Sequence, residues 1–465
     1  MSSAPVVHKD RGALLGEFYA IGCFLAALAT SPFLDRLTNV LLLLTTLLFA
    51  VVTRYSKRYL AGDPRQAHFT LWLCITGSCV FALILVENLL LFVMAWSATS
   101  LSLHHLLQFY KDRPAAIMAA RKKFIISRLG DVCLISVLVL THRVFGSWDF
   151  NTMFVAAARL RDSSEVNLIC ILLVFAALLK SAQFPFHSWL PDTMETPTPV
   201  SALMHAGIIN AGGILVLRLR NLITLSESAM ILLCVIGAFT AAFAAIIMLT
   251  QASVKRCLAF STVGQMGFMM LECGLGAFHL ALLHLVAHSF YKAHAFLTTG
   301  GVVQGKSNTT IQNVHPFAIL GAVAVALTIS IFSAHWVSQP VLTGIFTIAM
   351  AQLFWTSWTR MPSLWLVPAG LAMGSVFALG YFALDRFASE LLLPGASGPQ
   401  WLVWPILALF TLVALLQTQM PRLSQTTFGL HLYIHARNGF YINTLANRFT
   451  TWLWPTPAIS SKGTV

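Results

Sequence analysis

The feature that constrains this chain most is a succession of apolar runs, each close to the roughly 20 residues a helix needs to cross a bilayer. Fourteen can be marked, with cores at residues 14–30, 37–53, 68–87, 88–108, 124–141, 166–184, 198–217, 229–250, 254–272, 275–299, 317–334, 341–358, 364–383 and 401–417. Lipid offers no water to backbone N–H and C=O groups. A spanning segment must therefore satisfy them internally, as a helix or in a closed barrel. Barrel strands would be about 10 residues long and strictly alternating; these runs are about twice that and do not alternate. The expectation is an all-α polytopic membrane protein with about 13–14 transmembrane helices. No stretch between the runs is long enough for a soluble domain.

Composition agrees. Charged residues make up 10% of the chain and hydrophobic ones 57%, whereas a soluble domain carries about 25% charged residues. Disorder and an ordinary soluble enzyme are excluded. The net charge is +13, but the basic residues lie between apolar blocks and form no basic face for nucleic acid. Lys and Arg in the short loops set orientation. Nineteen fall on the side of Arg54, Lys57, Arg58 and the tail and seven on the other; Arg128, Lys180 and Lys292 lie inside runs. Both termini are expected in the cytoplasm, and the first residues show no signal-peptide pattern. The eight cysteines are scattered without a C-x-x-C pair. They read as small apolar packing residues, not as a disulfide framework or an iron–sulfur site.

The informative residues are the ionisable ones that interrupt apolar runs, because such a group inside a bilayer is costly and is usually paired, hydrated or functional. Lys180 lies deep in the run and is followed by Ser181, Gln183 and Pro185. Proline removes a backbone donor, so a broken helix is expected near Lys180. Unwound backbone at membrane depth is tolerated where it is buried in protein or lines a cavity. Lys180 therefore reads as part of an ion path, with a snorkelling lysine as the alternative. His205 follows Pro197 and Pro199, which suit a helix start; by itself it reads equally as a satisfied polar group.

The strongest cluster is His284, His288 and Lys292. Their i, i+4, i+8 spacing puts all three on one helical face. Each step rises about 6 Å, a gap that one water bridges. A proton relay is the natural reading. A metal or haem pair is the alternative, but no third ligand is evident. Arg128 and Asp131, three residues apart, can pair along a helix. Lys255 and Arg256 open the ninth run. Glu87 and Glu272 stand near the outer ends of their runs.

Two stretches carry a resemblance. Residues 178–213 read LLKSAQFPFHSWLPDTMETPTPVSALMHAGIINAGG, and residues 254–297 read VKRCLAFSTVGQMGFMMLECGLGAFHLALLHLVAHSFYKAHAFL. This resembles the antiporter-like, proton-conducting membrane subunits of respiratory complex I and of Mrp-type antiporters, from about Leu34 to Gly301. Within that superfamily, HAGIINAGG, ECGLGAFHLALLHLVAHSFYKAHAFL and the tail FGLHLYIHARNGFYINTLANR (428–448) look like the DabB subunits of energy-coupled inorganic carbon (DabA–DabB) pumps. The resemblance implies a multi-pass subunit of the bacterial cytoplasmic (cell inner) membrane. Its partner would be a DabA-like, carbonic-anhydrase-related subunit holding zinc, with no cofactor in this chain. It implies that Lys180 is the central lysine of the broken helix and His205 the bridging histidine. Lys255, His284, His288 and Lys292 would be the basic groups that follow, with Arg128 and Asp131 as a supporting ion pair.

The departures are specific. The family's glutamate after a tryptophan is here Ser97, following Trp96; the acidic residue before Lys-Arg is Ser253; and no lysine appears in the runs after Ala318. The expected organisation is a first helix (1–33), a conducting core (34–301), a degenerate second half (302–418) and an amphipathic cytoplasmic tail (419–465). In the tail, aromatic residues interleave with His431, His435 and Arg437, a composition suited to a partner or membrane interface. The expected function is a proton- or sodium-conducting subunit that couples the gradient to CO2 hydration by its partner. The alternatives are an Mrp-type Na+/H+ antiporter subunit and a complex I-type pumping subunit. A stand-alone enzyme is not supported, since no nucleophile–base set lies in a soluble domain.

Overall fold

A computed structural model describes residues 11–110, 112–160, 163–299, 339–360, 366–392, 398–423 and 425–455, and isolated positions between 321 and 326. The run expected at 317–334 lies outside the described residues, apart from those isolated positions. The described chain is helical, with no strand beyond one bridge between Asn88 and Asp149. In chain order the helices are α1 Arg11–Thr30, α2 Arg36–Tyr59, α3 Gln66–Leu85, α4 Leu89–Leu107, α5 Pro114–Phe145, α6 Phe150–Arg159 and α7 Ser164–Lys180. They continue with α8 Thr198–Ala206, α9 Ala211–Arg218, α10 Glu227–Met248, α11 Val254–Gly274 and α12 Phe278–Leu297. The last are α13 Pro340–Arg360, α14 Leu366–Leu391, α15 Val403–Leu423, α16 Thr427–Arg437 and α17 Ile442–Leu453. Among the described residues eight helical segments are long and apolar enough to cross a membrane. α7 falls short because it stops at Lys180, and α12 is interrupted by its own histidines and lysine.

The helix starts follow local chemistry. Asp35, Asn88, Asp149, Ser163, Ser226 and Thr426 cap α2, α4, α6, α7, α10 and α16 with side-chain oxygens that accept backbone N–H groups, which would otherwise lack partners. Hydrogen bonds from the backbone and hydroxyl of Thr152 hold the Asp149 carboxyl below the usual carboxylate range. Pro114 opens α5, where a missing N–H costs nothing.

Two helices break. After Lys180 the chain runs through Ala182 at φ 50° and a cis Phe184–Pro185 bond to a short turn at Trp189–Asp192. This is the expected break near Lys180. The second interrupts the run expected as one helix at 198–217: Gly207 leaves helical geometry and a 3-10 turn covers Ile208–Asn210. Asn210 repairs the ladder, its Nδ2 donating to Ala206 O at 3.0 Å and to Ser289 Oγ at 2.8 Å.

α10 and α11 pack backbone to backbone. A Cβ on Gly267 would lie 2.7 Å from the backbone nitrogen of Ala241. Small residues allow this approach, which replaces the hydrophobic drive missing between helices in lipid. Gly267→Ala is expected to destabilise the protein by about 1–3 kcal/mol, as overpacking does. Gly22→Ala should not, since nothing lies within 4 Å of its Cβ position. Thermal unfolding of the two variants in the same detergent checks this.

Candidate functional site

The ionisable residues of the core fall into two groups. The first surrounds the end of α7. Lys180 is 8% exposed, and its Nζ donates to Ser100 Oγ at 2.7 Å and lies 4.4 Å from the Trp96 ring centroid. Trp96 and Ser100 are both on α4, one turn apart. Lys123 of α5, also buried, donates to the backbone carbonyl of the same Ser100 at 2.6 Å. Arg128 and Asp131 pair at 2.7 Å, and Asp131 acts electrostatically on both lysines. A cavity of about 10 Å3 lies beside Lys123, Lys180 and Ser127, close to the smallest space that holds one water.

The second group lies along α12 and its neighbours. His284 Nδ1 is 2.9 Å from Glu272 Oε2, and its Nε2 is 2.8 Å from Gln265 Oε1, so the ring is held from α11 at both nitrogens. His288 follows one turn on, with ring centroids 6.1 Å apart. Lys292, fully buried, donates to Leu258 O at 3.0 Å. Thr262 donates to the same carbonyl at 3.1 Å, and its hydroxyl lies 3.1 Å from His205 Nδ1. With its proton given to Leu258, that hydroxyl accepts from Nδ1–H. His205 thereby carries its proton on Nδ1 and keeps Nε2 as an acceptor. The Nε2 atoms of His205 and His288 are buried without hydrogen-bond partners. Buried polar atoms of this kind call for water or a functional role.

Among the described residues no hydrogen bond or ion pair joins the two groups. A line of polar atoms crosses between them. Ser181, next to Lys180, donates to Ile209 O at 3.1 Å. Asn210 then reaches Ser289, the neighbour of His288. Asn210 Oδ1 is a further buried atom without a partner.

The structure brings together Lys180 with Arg128 and Asp131, and His205 with His284, His288 and Lys292. Lys255 stands apart, half-buried at the start of α11 with no polar partner among the described residues, one turn from Leu258. Three polar partners were not singled out from sequence. Lys123 looked like one of three basic loop residues. Ser100 is too common a residue type to stand out. Asp385 of α14 meets His279 at 2.9 Å, a pairing that only the tertiary fold creates.

The tail folds back on the core at the end bearing Lys57, Lys122 and Arg256. Lys122 bonds both Asp192 and Asn443 of α17, and Asn443 donates to Asp192 at 3.2 Å. Gln251 donates to Arg437 O at 3.3 Å, and Arg121 lies 5.1 Å over the Trp454 ring. His435 packs edge-on against Tyr441, and His431 is exposed. The opposite side of α17 presents Leu445, Phe449 and Trp452 outward.

Comparison with known proteins adds a family. The model of the NADH:quinone oxidoreductase/Mrp antiporter transmembrane family matches residues 86–378. The chain is 40% identical to the probable inorganic carbon transporter subunit DabB2 of Halothiobacillus neapolitanus, over 93% of this chain and 82% of that one. It is 33% identical to the probable subunit DabB of Hydrogenovibrio crunogenus, over 91% and 83%. The chloroplastic NAD(P)H-quinone oxidoreductase subunit 5 of Lemna minor is 33% identical over 77% of this chain, which spans only 49% of that longer protein. Among solved structures, the Mrp complex from a Dietzia species superposes with a TM-score of 0.60 at 21% identity. It covers 97% of this chain and 54% of the matched one, a likeness of fold.

Proposed function

We propose, on the premise that this chain belongs to the NADH:quinone oxidoreductase/Mrp antiporter transmembrane family and within it to the DabB inorganic carbon transporter subunits, that it conducts protons through the bacterial inner membrane to drive CO2 hydration by a partner. The observation that carries this reading is the burial of five basic groups, Lys180, His205, His288, Lys292 and Lys123, within protein and away from lipid. Keeping them there is expensive, and so many basic groups sequestered at membrane depth mark an ion path rather than packing alone.

Protons from the outer face would reach Glu272 and His284, pass by water to His288 and Lys292, and cross at His205. From there the polar line through Asn210 and Ser181 would lead to Lys180, Lys123 and the cytoplasmic face. Alternating basic groups suit protons better than sodium, which prefers oxygen cages. One charge falling through 100 mV releases about 2.3 kcal/mol, more than the ~1.4 kcal/mol that shifts an equilibrium tenfold. A DabA-like subunit holding the zinc would use that shift to form bicarbonate, and this chain would supply no metal ligand.

The test is growth in ambient air of a host lacking carbonic anhydrase and expressing this chain with its DabA-like partner. Growth should depend on both proteins and collapse with a protonophore, and a sodium ionophore should have little effect. Rescue that ignores the protonophore would reject proton coupling, and rescue abolished only by the sodium ionophore would transfer the reading to sodium.

A further inference from the structure

Between the tail and the core, at the end bearing Arg256, lies a cavity of about 160 Å3. Where about 10–15 Å3 holds one water, it has room for a small polyatomic ion with part of its hydration. Its walls include His187, Asp192, Arg256, Arg437, Asn438 and Asn443. The proposed proton path uses none of these.

The lining has an uncompensated positive charge. Asp192, the carboxylate in the wall, is taken by Lys122 and Asn443. Neither Arg256 nor Arg437 has a carboxylate within ion-pair distance among the described residues. His187 is 2% exposed, seated among the rings of Phe184, Phe243 and Phe260, and its Nδ1 is buried without a hydrogen-bond partner. The side-chain amides of Asn438 and Asn443 are engaged with Ile434 O and Asp192. The unspent polar groups of the lining are therefore the two arginines, which lack a carboxylate partner among the described residues, and the buried His187 imidazole. Arginine presents paired N–H groups whose spacing matches the two oxygens of a carboxylate or phosphate.

Tail geometry builds this site. Gly439, Phe440 and Tyr441 all adopt positive φ, at 59°, 49° and 60°. This costly turn reverses the chain between α16 and α17, so that Arg437–Asn438 and Asn443 line the same space. Phe440 anchors the turn against Phe243 of α10, with ring centroids 5.7 Å apart.

We propose that this cavity binds a small oxyanion of the bicarbonate or phosphate kind, free in solution or carried on an anionic lipid headgroup, and that its occupancy holds the tail to the core. The inference stands on the tail contacts and does not need the proton relay.

The test uses the full chain in nanodiscs of zwitterionic lipid at constant ionic strength, with thermal unfolding read against added bicarbonate, phosphate or chloride. Bicarbonate or phosphate should raise the unfolding temperature saturably, and chloride should not. The larger response of the two names the free occupant. If instead discs doped with phosphatidylglycerol are already protected without added oxyanion, the occupant is a headgroup. Arg256→Gln and Arg437→Gln should each weaken the response about tenfold, the loss expected for one charge-assisted hydrogen-bonding partner. Both side chains are exposed, so the variants should fold; Arg448→Gln, in the same tail but outside this cavity, should respond as the unaltered chain does. Equal responses to all three anions, or responses undiminished in both Gln variants, would overturn the proposal.

Discussion

Lys180→Ala is expected to abolish carbon-dependent growth while leaving the chain assembled with its partner. Two stability effects oppose each other in this variant. Losing a buried aliphatic stem leaves a cavity, which costs about 2–5 kcal/mol for a side chain of comparable size. Removing an ionisable group from membrane depth returns about 2.5–3.5 kcal/mol. The protein should therefore stay folded, and the loss should appear in transport. Lys180→Met sharpens the test by keeping most of the stem beside Trp96 and losing the proton-binding amine. Lys180→Arg keeps a cation but not an exchangeable proton, since arginine stays charged in proteins. All three should lower uptake of labelled inorganic carbon by at least about tenfold, the effect of roughly 1.4 kcal/mol on a barrier. Copurification of the partner would show that assembly survives. Normal uptake by the Met variant would remove Lys180 from the path, because its position between Ser100 and Trp96 would then matter only for packing.

The parts of the site that sequence revealed are those written in local spacing. The period of 3.6 put His284, His288 and Lys292 on one face, and the structure sets them along one side of α12. Pro185 announced the break after Lys180, because a missing N–H is a local fact. The break at Gly207 was hidden, since the run from 198 to 217 is apolar throughout. Its stability depends on Asn210 reaching Ser289, 79 positions away. Lys123 was hidden for a different reason. In the series Arg121-Lys122-Lys123 it reads as an orientation signal, yet α5 begins at Pro114 and carries it more than two turns into the helix. Three adjacent cations then have three fates: Arg121 meets Trp454, Lys122 meets Asp192 and Asn443, and Lys123 turns inward to Ser100. The tail composition pointed to an interface. Which side of it faces the chain's own core became visible only once Lys122 and Asn443 were seen together.

Asp131→Asn should be the second most damaging change, and the reason lies in the missing glutamate at position 97. Lys123 and Lys180 both bond Ser100 on one turn of α4, Arg128 pairs with Asp131, and Asp131 is the carboxylate within electrostatic reach of both lysines. Breaking a buried ion pair from one side costs about 3–5 kcal/mol; here the lower end applies, because the Arg128 side chain retains 34% exposure. The Asn variant should unfold at a lower temperature and lose carbon uptake by at least about tenfold. A second substitution separates lost charge balance from lost packing. Ser97 is three residues before Ser100 on α4, one turn along the same face, so Ser97→Glu places a carboxylate near the same lysines. In the Asp131→Asn background, Ser97→Glu should recover part of both stability and uptake. In the unaltered chain it adds a charge that Asp131 already provides and should gain nothing. Recovery of stability without uptake would assign Asp131 a packing role alone, and full uptake in the single Asn variant would show that the lysines need no counter-charge.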